Sequence, residues 1–80
     1  MPYELDELQI GDTILFEYDN EPLYGIIDAI KPSEKPQREI AVDCVQDLNY
    51  KRIEVDGWNP PFYIDATAIE DLNPDGVELC

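Results

Sequence analysis

The sequence predicts an all-β domain: five short strands curled into a small barrel, closed or half-closed. Three observations point there. Runs of alternating apolar and polar residues recur at short, regular intervals, and Gly, Pro, Asn and Asp turn signals separate them. Nine isoleucines, five tyrosines and one tryptophan supply the β-branched and aromatic residues that strands favour. Eighty residues make a single domain, 1–80, with 1–9 as a lead-in and 73–80 as a tail. The core of so short a chain is thin. An apolar share of 44% argues against intrinsic disorder, because disordered acidic chains are poor in aromatic and β-branched residues.

The elements follow in order. Residues 2–9 can form one helical turn with Leu5 and Leu8 on one side. Gly11-Asp12 opens a first strand, Thr13–Asp19, with Ile14, Phe16 and Tyr18 inward and only Leu15 breaking the alternation. Asn20-Glu21-Pro22 reads as a turn, and Leu23–Lys31 as a strand with a bend or bulge at Gly25. Pro32 to Gln37 is a loop. Glu39–Gln46 places Ile40, Val42 and Cys44 on one face and Asp43 on the other. A turn near 47–49 leads to Tyr50–Asp56, with Ile53 and Val55 inward. Gly57 to Pro61 cannot continue a central strand. Phe62–Thr67 is the fifth strand, 68–72 a closing turn, and Asn73-Pro74-Asp75-Gly76 a turn sequence.

The run Leu8-Gln9-Ile10-Gly11-Asp12-Thr13-Ile14, followed by Tyr24-Gly25-Ile26-Ile27, resembles the opening strands of SH3-like barrels of the Tudor and KOW type. Tyr63 to Leu72 is similar to their last strand and short helical turn. The resemblance implies a five-stranded SH3-like barrel with short helical turns near the ends, and no particular function. The opening strand and paired tryptophans of a peptide-binding SH3 domain are missing, as are the basic loops of an RNA-binding KOW module, outside 31–38.

Charge is the unusual property. Nineteen acidic residues face five basic ones, for a net −14 without histidine. Such self-repulsion destabilises a compact state beyond anything solubility requires. It excludes direct binding to nucleic-acid phosphates and disfavours anionic membranes. Residues 1–30 hold eight acids and no base, 53–80 hold seven acids and no base, and all five bases lie in 31–52. In an SH3-like barrel the first and last strands are neighbours, so the two base-free segments would join into one acidic side.

Catalysis lacks its usual groups. Without histidine the commonest general base and most transition-metal sites are missing. Ser33 and the threonines sit in no nucleophile elbow, and an inward Cys44 would be inert. The expectation is a non-enzymatic chain with no cofactor. Asp71-Leu72-Asn73-Pro74-Asp75-Gly76 matches the first half of a calcium loop, but the glutamate due at its twelfth position falls beyond residue 80, so a β-turn is the favoured reading and no metal is expected. The start Met1-Pro2-Tyr3-Glu4 has neither the basic residues nor the apolar run of a secretory signal, which predicts a cytoplasmic protein. Two reduced thiols go with that location, and a Cys44–Cys80 bridge is the alternative.

The leading expectation is an acidic interaction protein that docks on a basic, nucleic-acid-binding partner and competes with its ligand. Small acidic proteins of phages and mobile elements inhibit DNA-binding enzymes in this DNA-mimicking way. Glu17, Asp19, Glu21, Asp28, Asp65, Glu70 and Asp71 would steer and pair. Tyr24, Trp58 and Tyr63 would be desolvated anchors, although Trp58 equally suits folding back over a barrel end. Alternate strand residues such as Glu17 and Asp19 would present a regular row of carboxylates. A second expectation is a Tudor- or SH3-like adaptor that reads a short basic or methylated peptide through an aromatic groove. A third is an accessory domain whose acidity is incidental.

Overall fold

The computed structural model describes residues 3–30, 39–53 and 62–79. Strands β1 (Thr13–Tyr18), β2 (Glu21–Ile30), β3 (Ile40–Gln46), β4 (Phe62–Ile64) and β5 (Ile69–Leu72) form one antiparallel sheet in the order β4-β3-β2-β1-β5. Among the described residues 3₁₀ turns lie at Leu5–Glu7 and Ala66–Ala68, and no α-helix occurs. β4 and β5 are the two edges and do not pair, so the curled sheet is a half-barrel. The 32–37 loop, Val55, Trp58 and the Phe62 side chain lie outside the described residues.

Alternation makes β1: Ile14 and Phe16 are fully buried, and Leu15 is half-buried on the other face. Tyr18, expected inward, is 38% exposed at the strand end. The strand stops there because Asp19 and Asn20 both take left-handed φ values, 52° and 64°. That is the two-residue type I′ turn, whose twist matches the flanking strands and which Asp and Asn tolerate. The turn expected at 20–22 thus falls one residue earlier, and Glu21 and Pro22 belong to β2. Pro22 fits because its pair with Glu17 follows the closing pair Tyr18–Glu21, so its nitrogen points away from β1. On its other side β3 reaches only as far as Tyr24.

Three bulges curl the sheet, each adding a residue to one strand and increasing the local twist. Between the pairs Tyr24–Gln46 and Ile26–Asp43 the extra residue is in β3, where Cys44 has a φ of 55°. The bulge resets the phase: Val42 and Val45 are buried, Asp43 is exposed, and Cys44 is half-buried instead of inward. Asp28 is the extra residue between Ile27–Val42 and Ala29–Ala41, and Glu70 that between Leu15–Asp71 and Phe16–Ile69. Both are exposed. Gly25 is not itself bulged; it lies opposite the β3 bulge, pressed against the Phe16 ring.

The second half departs further from expectation. Within 50–56 the described pairing is a single bridge, Arg52 to Gln46. Phe62–Thr67 is a strand only to Ile64, and the expected closing turn at 68–72 is in fact β5. Asp65 ends β4 by capping the 3₁₀ turn, its Oδ1 accepting the Thr67 amide at 2.9 Å. Strand β5 escapes the alternation rule because the Glu70 bulge leaves two successive residues exposed.

The core gathers Phe16, Ile14, Ile27, Ile40, Val42, Ile64 and Ile69 on one face, with Leu8 sealing it from the lead-in. Leu5 packs alongside from the first 3₁₀ turn, as its spacing to Leu8 predicts. A Gln9–Asp12 turn then joins the lead-in to the sheet. Gly11 has a φ of 97°, the type II position that suits glycine. The Asp12 amide donates to the Gln9 carbonyl at 3.1 Å, and Asp12 Oδ2 accepts the Gln9 amide at 3.0 Å. The Gly11 amide donates to the Ile27 carbonyl on β2, and the Ile27 amide donates to the Asp12 carbonyl. At the other end Asn73 closes β5 against β1. Its amide donates to the Thr13 carbonyl at 2.7 Å, and its Oδ1 accepts the Thr13 amide at 3.0 Å.

Candidate interaction surface

Pairing of β1 with β5 brings the two base-free ends of the chain together. Leu15 and Asp71 are direct partners, so their side chains share the face opposite the core. Glu17, two residues on, projects from that same face, and Glu70 bulges out beside it. Asp19 and Glu21 stand exposed at the adjoining hairpin tip. These five carboxylates form one continuous acidic margin along β1, the tip and the β5 edge. Four-residue β5, carrying two of them, is also poorly suited to pairing with another strand, because short and charged edges resist it.

The remaining predicted residues are placed differently. Glu17 and Asp19 do not form a row along a strand, since β1 ends between them and Asp19 is in the turn. Asp28 lies at the far end of β2 from Glu21, roughly 23 Å away at about 3.3 Å per residue, close to the Gly11–Asp12 turn that bonds Ile27. Asp65 is half-buried and commits an oxygen to its cap. Tyr63 is exposed on β4, at the edge of the sheet opposite β5. Trp58 lies outside the described residues.

A second feature sits on the same outer face. Tyr24 stacks on Tyr50, with ring centroids 6.1 Å apart and planes 18° from parallel. Asp47 builds the turn that presents Tyr50: its Oδ1 accepts the amides of Asn49 at 2.8 Å and Lys51 at 3.0 Å. The Tyr50 amide donates to the Asp47 carbonyl, and Tyr50 takes a φ of 63°. Tyr50 is 50% exposed and, with Gly76, Val77 and Glu78, lines a shallow open depression of about 480 Å³. The turn expected near 47–49 is present and extends through Tyr50, which was expected on the following strand; the carboxylate of Asp47 as its organiser was not foreseen. The signal available was Asp-Leu-Asn, an Asx-turn sequence.

Cys44 is disulfide-bonded, which corrects the expectation of two reduced thiols. The calcium-like sequence is bound up in the fold: Asn73 Oδ1 holds Thr13, and Asp71 Oδ1 accepts the Leu72 amide at 3.0 Å. No cluster of potential metal ligands occurs among the described residues, and no described helix is long and apolar enough to cross a membrane. Compared with protein-family models, curated proteins and solved structures, the chain matches none.

Proposed function

We propose that this chain is an SH3-like half-barrel that acts without catalysis, docking through its acidic margin on a basic, nucleic-acid-binding protein and competing with that protein's ligand. The observation that carries the reading is the β1–β5 pairing, which makes one margin of carboxylates from two segments free of basic residues. Long-range attraction would speed encounter, and the hairpin-tip and edge carboxylates would stand in for phosphates. The SH3-like assignment is supported by the strand order and by the 3₁₀ turn joining the last two strands.

The test is a five-site variant, Glu17→Gln, Asp19→Asn, Glu21→Gln, Glu70→Gln and Asp71→Asn, compared with the parent for capture of basic proteins from a bacterial lysate. Capture by the parent should be eluted by rising salt and displaced by duplex DNA, and the variant should capture nothing. Retained capture by the variant, or indifference to DNA, would overturn the reading. The Tyr24–Tyr50 stack favours a second reading, an adaptor that holds a cationic or methylated side chain against an aromatic face. In that case Tyr50→Ala would abolish capture and the five amides would leave it intact.

A further inference from the structure

Segment 73–79 begins and is headed toward two points in a single row of the sheet. Thr13 pairs with Ile26, and Ile26 pairs with Asp43, so these three residues lie abreast on β1, β2 and β3. Asn73 is held to Thr13 by two hydrogen bonds at one end of that row. Cys44, next to Asp43 at the other end, is disulfide-bonded, and the chain has one other cysteine, Cys80. Three strand spacings separate Asn73 from Asp43, about 14 Å, and seven residues reach roughly 23 Å when extended, so the span is covered. Leu15, Tyr24 and Ile26 point away from the core yet are only half-exposed, and Val77 and Leu79 are half-buried in turn. Tyr50, stacked on Tyr24, shares its depression with residues 76–78.

We propose that the Cys44 bond is made to Cys80 and clasps segment 74–79 across the outer face of β1 and β2, a redox-controlled cover that is independent of the acidic-margin reading. The occupant of the Leu15–Tyr24–Ile26 strip is thus the chain's own tail. Release is thiol–disulfide exchange with a dithiol reductant. Two electrons pass to the Cys44 and Cys80 sulfurs, the reductant's two sulfurs end joined to each other, and its two protons end on the freed thiols. The core on the other face does not depend on the bond, because none of its described residues comes from the tail.

Tryptic digestion without reduction checks the pairing: fragments 39–51 and 53–80 should remain linked in a protein whose intact mass is that of a monomer. Backbone ¹⁵N relaxation checks the cover. Residues 76–79 should have order parameters near ~0.85 when oxidised and below ~0.6 after addition of a dithiol. The methyl signals of Leu15 and Ile26 should shift, while those of Ile14 and Ile27 stay in place. Cys80→Ser should reproduce the reduced spectrum without reductant. Unlinked fragments, a tail equally rigid in all three samples, or loss of the Ile14 and Ile27 signals on reduction would each overturn the proposal, the last by making the bond a staple of the whole fold.

Discussion

A Cβ built on Gly25 would meet Phe16 Cε1 at 3.0 Å and Val42 Cβ at 3.4 Å, and both of those side chains are fully buried. The glycine therefore serves close packing, at an ordinary φ, and leaves no room for a methyl group. Gly25→Ala should destabilise the domain by about 1–3 kcal/mol, the usual cost of overpacking a core, as measured by urea denaturation. A neutral or stabilising result would mean that Phe16 can move aside. Asn73 is a second residue whose identity follows from its surroundings. Its φ of 50° suits asparagine, and its carboxamide fills the pairing position that β5 no longer supplies to Thr13.

Among the elements, the β1–β2 hairpin turns on two successive left-handed residues, Asp19 and Asn20. Asn20 holds a φ of 64° that glycine adopts without steric cost. Asn20→Gly creates the Asp-Gly pair favoured in type I′ turns and should add about 0.5 kcal/mol, or ~2–4 °C in the unfolding midpoint. An unchanged or lowered midpoint would argue against this turn type. β1 and β3 were legible from alternation, and β2 from an apolar run bounded by turn residues. β5 was not, since the bulge at Glu70 puts two exposed residues in succession and mimics a polar turn. Cys44 was misplaced for the same reason: the β3 bulge turns it off the core face and admits Val45. Of the interaction surface, the charge segregation was readable and the joining of the two base-free segments was expected, but with Phe62–Thr67 as the strand beside the first. The strand that lies there is Ile69–Leu72, which reads as a turn in the sequence. The Tyr24–Tyr50 stack was not readable, because it depends on a five-residue turn held by one carboxylate, Asp47.

At the scale of the whole molecule, fifteen of the nineteen acids lie in the two base-free segments, and the sheet brings strands of those segments side by side. Self-repulsion is then concentrated and open to screening. Raising NaCl from about 20 to about 500 mM shortens the screening length from roughly 20 to roughly 4 Å, so the thermal midpoint should climb by several degrees. A flat or falling midpoint would show that the carboxylates are far enough apart, or sufficiently hydrated, not to oppose folding. The Thr13–Asn73 junction has a further consequence, in mechanics. Because β1 and β5 are antiparallel, the chain enters β1 and leaves β5 at the same end of the pair. Tension applied between residues 12 and 74 would load the two hydrogen bonds of that junction first and then peel β5 from β1 one pair at a time. A strand peeled from its end yields at lower force than one sheared along its length, where every bond shares the load. This is a sheet that a steady pull opens like a zip, starting from Asn73.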